Sequence, residues 1–453
     1  MRLGRFSVTF ALVAILSLMA SAQQAAAQQL AGVVVDTEGV LRMSFPDPTG
    51  ELTRQRFAAA KAALDPKVAT ASPMRKISLN RLEKAIQEKL ANHGRLPDEM
   101  RYLAGLTRLS YVFVYPETHD IVIAGPAEAW AEDATGRVVS ISKGQPVLEL
   151  QDLVTALRAY PPKAKGAKVI GCSIDPTKEG LVRMQEFIRY ASANASPDDA
   201  DKIVDGIRNS LGLQTVTVLG VPENSHFAQV LVEADYRMKL IGIGIEQPPI
   251  KLASYVDRAD PQDIASNAMQ RWYFLPDYQC VRTSDDKMAM QLVGDGVKLI
   301  GSDEMVEMNG GRRVSGKPDK ASQAFVTAFT KSYAQLAARS PVYAQLRDLI
   351  DMSVAAAFIQ ANDYYGKAGW KMEYFGSEQQ FPVCTYNIPK TVETACTSVW
   401  KGAQLMTPVG GGVHIEPKHA LETSNILHDE GGKVGATREK VKLELAEGQW
   451  WWD

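Results

Sequence analysis

Apolar and polar positions alternate in short runs near the start of the chain and then shift to helical spacing. Leu30 to Asp36 reads as a strand, Thr37-Glu38-Gly39 as a turn, and Val40 to Phe45 as the returning partner. Further on, Leu82, Ile86 and Leu90 recur at four-residue intervals behind Asn80 and Glu83, which have capping-box spacing. Leu109 to Tyr115 and Ile121 to Ala124 flank the turn residues Pro116 to Asp120, the pattern of a hairpin, and Leu148 to Tyr160 reads as a helix.

The Pro-rich, charged stretch from Pro161 to Lys168 marks a linker. Beyond it come a strand at Val169 to Cys172, a helix from Lys178 to Ala193 and another from Ser196-Pro197 to near Gly212. A strand at Val216 to Leu219 and a helix from Ser225 to Leu240 follow, a βα rhythm that suggests an α/β layer. Arg271 to Leu275, Gln279 to Thr283 and Met288 to Val293 then read as an antiparallel meander. Two long helices are expected at Ala321 to Ala338 and from Ser340-Pro341 to about Tyr365. The second is apolar nearly all round at Val354 to Ile359, as a central core helix would be. Val441, Leu443 and Leu445 alternate with charges as a late strand. The expected fold is α+β: a leader (residues 1–27), an N-terminal hairpin and helix module (28–160), a larger mixed module (161–428) and a tail or late strand (429–453).

Composition narrows the function classes. The 453 residues are 45% hydrophobic and 23% charged, with a formal net charge of −2, so nothing draws this chain to nucleic acid or an anionic membrane. Arg2 and Arg5, the apolar run Phe6 to Leu18, and the small-residue sites Ala20-Ser21-Ala22 and Ala25-Ala26-Ala27 read as a signal peptide. The expectation is an exported protein, periplasmic, surface-borne or extracellular, with no later transmembrane segment. Four cysteines in such a chain favour disulfides. Cys384 and Cys396 lie equally far from Lys390, so a hairpin centred there would pair them, closing a short loop worth about 3 kcal/mol. Cys172 and Cys280 would pair only by elimination, or be buried thiols. No close cysteine spacing supports zinc.

Candidate chemistry concentrates after Val221-Pro-Glu-Asn224. His226, Gln229, Glu233, Tyr236 and Arg237 form a polar stripe on one helix. The bland reading is the solvated face of a core helix. The functional reading puts Asn224, Ser225 and His226 at the positive helix terminus, with Arg237 behind them, as a site for an anion or carboxylate. Cys172 and His226 also qualify as a nucleophile and base, set against a purely structural cysteine. No H-E-x-x-H, phosphate-binding or dinucleotide fingerprint occurs, and neither cofactor nor metal is expected. His414, Glu416 and His419, with Glu422 and His428 beyond, cluster in sequence, but a strand would put His419 on the opposite face, as surface histidines. Trp450, Trp451 and Trp452 either dock on a partner or the envelope, or belong to a tail that packs onto its own domain or stays disordered.

Five blocks resemble a family of exported bacterial proteins known as domain of unknown function 1598. They are Val114 to Pro126, Gly171 to Pro176, Val232 to Gly242, Arg271 to Pro276 and Ser340 to Arg347. The resemblance implies export and a shared fold, and it implies no reaction or ligand. Two function classes remain: a non-enzymatic binding or envelope-associated protein, and a hydrolase-like enzyme with its site near Cys172 and His226.

Overall fold

The structure, a computed structural model, describes residues 30–192, 199–260, 268–306, 312–314, 319–400 and 404–453. The leader and Ser196-Pro197 lie outside the described residues. The fold is α+β. Among the described residues its larger sheet has ten strands, in the order Leu30–Val35, Val40–Asp47, Thr391–Val392, Gln214–Leu219, Ile170–Asp175, Gln404–Ile415, Ala268–Pro276, Val297–Val306 and Arg312–Val314, with Cys396–Trp400 paired to Gln404–Ile415 off that path. Despite the βα rhythm, Ile170–Asp175 and Gln214–Leu219 run antiparallel. Two helices, Lys178–Ser192 and Ala200–Leu211, separate them. A single crossover helix returns the chain for a parallel strand, whereas a helix pair delivers it reversed.

The triple glycine sits in the middle of this sheet, between Ala268–Pro276 and Ile170–Asp175. A Cβ on Gly411, whose φ is +131°, would lie 1.9 Å from the Trp272 carbonyl oxygen, and one on Gly412 would lie 2.0 Å from that of Cys172. Hydrogen alone fits there.

A second sheet of six strands runs Val281–Thr283, Ala289–Leu292, Tyr111–Tyr115, Asp120–Ala127, Ser72–Ser78 and Trp451–Trp452. The expected meander is therefore split. Its first strand joins the large sheet against Val297–Val306, and its other two join the small one. The late strand also moves: Val441 is buried but lies outside any strand, and the tail pairs through Trp451 with Ile77 and Trp452 with Lys76. Trp450 is buried, and Arg75, with no solvent exposure, lies 4.6 Å from the Trp451 ring centre. Its guanidinium holds both Asp453 carboxylate oxygens at 2.9 Å and reaches the carbonyls of Val68, Thr70 and Ala104. The structure has this segment packed against its own protein, with Trp451 and Trp452 half-buried.

The helix Pro341–Ala361, with Ser340 at its N-cap position and Pro341 in its first turn, is buried on every side from Val342 to Ile359 and forms the axis of the core. One hydrophobic cluster runs from Ile77 and Leu82 through Phe227 and Phe274 to Ile359. Both sheets take strands from either side of residues 161–168, so this stretch is a connection within one core rather than a boundary between modules. Gln360 fastens it by donating to the Pro161 and Ala164 carbonyls. Among the described residues, no helix is long and apolar enough to cross a membrane. The helix Leu79–His93 is capped by Ser78 rather than Asn80, because the buried Glu83 carboxylate serves another segment. It accepts hydrogen bonds from the Trp370 indole and from the Tyr374 and Phe375 amides.

The expected disulfide is corrected. Cys384 and Cys396 are both free, as are Cys172 and Cys280. Thr391–Val392 pairs with Val40–Leu41 and Gln214–Thr215, so no hairpin forms about Lys390. Cys396 instead enters the strand facing Pro408, while Cys384 lies in an irregular segment where its amide donates to Glu378.

Candidate functional site

Two helix N-termini meet at the best-defined polar cluster. The helix Leu150–Ala159 begins after Glu149, carries Asp152 in its first turn and buries Leu153, Val154, Ala156 and Leu157 in the core. Acidic residues there suit the positive end of the helix. The helix His226–Gly242 is capped by Ser225, whose hydroxyl accepts from the Ala228 amide at 3.2 Å and donates to the Pro222 carbonyl at 2.7 Å. With those bonds made, Ser225 is occupied by helix capping. His226, the first residue inside, points its Nδ1 at Asp152 Oδ2 at 2.7 Å and its Nε2 toward Glu149 Oε1 at 3.8 Å.

A short loop closes the cluster. The Tyr386 ring centre lies 5.5 Å from that of His226, and its hydroxyl accepts from Gln151, which also donates to Glu149 at 2.6 Å. The Tyr386 amide donates to the Asn224 carbonyl, and the Asn224 side chain donates to the Cys384 carbonyl, so Asn224 fastens the loop to the helix start. Burial alone would lower the His226 pKa, but the Asp152 and Glu149 carboxylates outweigh it and raise the pKa to about 9. That shift favours an Nδ1–H that donates to Asp152. The other Asp152 oxygen, Oδ1, is buried and accepts no hydrogen bond among the described residues. Burial also raises the Asp152 carboxyl, against the pull of His226.

Farther along the same helix the polar stripe faces inward. Arg237 donates to Glu246 at 2.7 Å and to Glu233 at 3.4 Å, and Glu233 also meets Arg137, so Arg237 belongs to a buried ion-pair network. Eleven residues along a helix is about 16 Å, so Arg237 and His226 occupy different places. The structure brings Asn224, Ser225 and His226 together and sets Arg237 apart.

Cys172 lies in the middle of the large sheet, opposite Val413 and Val218, and is 4% exposed. Burial pushes its thiol well above the usual range, and the nearby Asp235 carboxylate pushes the same way. A thiolate nucleophile requires the opposite shift. Among the described residues, the ionic and ring partners of His226 are Asp152, Glu149 and Tyr386, and Cys172 is not one of them. The later histidines separate into two exposed pairs, His414 with Glu416 and His419 with Glu422, each at 2.8 Å.

Sequence reasoning singled out His226 but not Glu149 and Asp152. Seventy-four residues separate Asp152 from His226, and no spacing rule links them. The one available signal was two carboxylates at a helix start, which ordinarily answer only to the helix dipole. Two open surface grooves lie elsewhere, one of about 680 Å³ beside Trp451 and Asp453 and one of about 410 Å³ beside Arg108 and Arg347. Neither includes His226.

No curated protein and no solved structure matches the chain. Residues 172–255, which run from the central cysteine strand through the whole of helix His226–Gly242, match the family model described as Protein of unknown function (DUF1598).

Proposed function

We propose that this is an exported, non-enzymatic binding protein whose binding locus is the cluster of Glu149, Asp152 and His226. The observation that carries the reading is the second Asp152 oxygen, buried at the cluster with no hydrogen bond. Buried polar atoms nearly always have a partner, so an orphaned carboxylate oxygen beside a second carboxylate suits a positively charged occupant. The anion expected from the helix terminus alone is disfavoured, because Asp152 already holds that position against His226. Export rests on the leader expected at residues 1–27.

The hydrolase-like alternative needs an activated Cys172 within reach of a base. Against it stand the buried, protonated thiol and the set of partners around His226. The test is iodoacetamide labelling of the folded chain followed by mass spectrometry, beside p-nitrophenyl acetate hydrolysis by wild type and Cys172→Ala. The binding reading expects Cys172 to stay unlabelled until the protein is unfolded and no difference in hydrolysis. Rapid labelling of native Cys172, with hydrolysis lost in the alanine variant, overturns it.

A further inference from the structure

We propose that the occupant of this cluster is a divalent transition-metal ion, ligated by the Glu149 and Asp152 carboxylates and the His226 imidazole, with water completing the shell. The inference rests on the binding role proposed above and names its ligand.

Three observations converge. First, the three residues each offer a donor atom, and these atoms lie within 4.8 Å of one another. Metal–ligand bonds of about 2.0–2.1 Å put tetrahedral neighbours roughly 3.3 Å apart. The Nε2 to Glu149 Oε1 separation of 3.8 Å is already close to that, and the remaining closure is within the reach of side-chain rotation. Second, Asp152 Oδ1 is buried without a partner while Oδ2 holds Nδ1 of His226. The spare oxygen is a carboxylate donor with nothing else to bind, and an arriving ion takes the place of the proton now shared between Nδ1 and Asp152, which is released to solvent. Third, the side chains are 13%, 6% and 14% exposed for Glu149, Asp152 and His226, so the cluster is sheltered but open to a small ion.

The donor set selects the ion class. Calcium and magnesium favour six or more oxygens or a largely hydrated shell. One imidazole with two carboxylates suits zinc, cobalt, nickel or copper, and the two negative charges neutralise the ion. The other histidines do not compete on these terms: His414 and His419 each pair with a single exposed glutamate.

The experiment is titration of the full chain with zinc, in competition with a chromophoric chelator, together with cobalt absorption spectroscopy. One equivalent is expected to bind, with a cobalt spectrum of low-symmetry nitrogen and oxygen ligation. Glu149→Gln, Asp152→Asn and His226→Gln should each weaken binding by at least about 100-fold. His414→Gln should leave it unchanged. The cobalt spectrum is read on the wild-type chain, so the proposal stays testable if a variant fails to fold. Absence of saturable binding by wild type overturns it, as does binding that survives in Asp152→Asn or disappears in His414→Gln. A parallel thermal-shift measurement with n-butylammonium separates the two readings. If the metals fail and butylammonium raises Tm in wild type but not in Asp152→Asn, the metal inference falls and the binding role stands. If both probes fail, both fall.

Discussion

Lys239 Nζ and Asp235 Oδ2, one turn apart on helix His226–Gly242, meet at 2.7 Å with neither side chain exposed to solvent. The ammonium also donates to the Ile174 carbonyl at 3.2 Å, which ties the helix to the strand that carries Cys172. Burial raises the Asp235 carboxyl to about 6, with Lys239 opposing the shift. Removing one partner leaves the other charge stranded in the core. Asp235→Ala is therefore expected to destabilise the protein by about 3–5 kcal/mol in urea unfolding, and Asp235→Leu combined with Lys239→Met by far less. Equal losses in the single and double variants would show that the pair does not act as a unit.

The central helix holds a second test, with a pH signature. Burial raises Asp348 to about 7, although Arg347 beside it pulls the other way, and Asp351 adds to the rise. A raised folded pKa means that the folded chain keeps a proton the unfolded chain has already released. The stabilisation is complete below about pH 4, declines as pH rises and is gone above about pH 7, a swing of roughly 4 kcal/mol at most. Asp348→Asn removes the ionisation. The variant should match wild type near pH 4 and exceed it by about 2–4 kcal/mol at pH 8. Parallel stability–pH curves for the two proteins would refute this.

Gly411 offers a steric test with an internal control. Gly411→Ala forces a methyl group against the Trp272 carbonyl oxygen from 1.9 Å, which only movement of the two central strands relieves. A loss of about 3 kcal/mol or more, or no soluble protein, is expected. At Gly410 the nearest atom is the Asp175 carboxylate at 3.1 Å, followed by the Arg271 side chain. Both side chains can turn aside, so Gly410→Ala should cost less than about 1 kcal/mol.

Trp450 is 4% exposed and its carbonyl accepts from the Ser78 amide at 2.9 Å. Trp450→Ala should cost about 3–5 kcal/mol and release the tail to proteolysis near residue 449. An unchanged unfolding midpoint and an uncut tail would show that Arg75 and Asp453 suffice to anchor it.

Much of the fold was legible because individual elements obey local rules. The turn at Gly39, the hairpin around His119 and the Ser340-Pro341 start of the long helix all appear where their residue chemistry put them. Pairing between distant strands was not legible. The hairpin about Lys390 fails because Thr391 and Val392 find partners near residues 40 and 214, contacts that no local pattern encodes. Glu83 was misread for a similar reason: its spacing suits a cap, but the loop at Trp370 to Phe375 claims its carboxylate. At the cluster, His226 was visible from its place at a helix start. Glu149 and Asp152 became its neighbours only through the packing of two helices.

The tail strand carries a consequence for the order of assembly. Arg75 and Asp453 stand 378 residues apart in sequence, yet they lock the same sheet edge. During synthesis the flank formed by Ser72–Ser78 therefore waits, with its backbone donors and acceptors and the Arg75 guanidinium unmatched, until Trp451–Trp452 has been made and can pair with it. Until then that open flank is the natural place for a chaperone to hold or for a misfolded neighbour to attach.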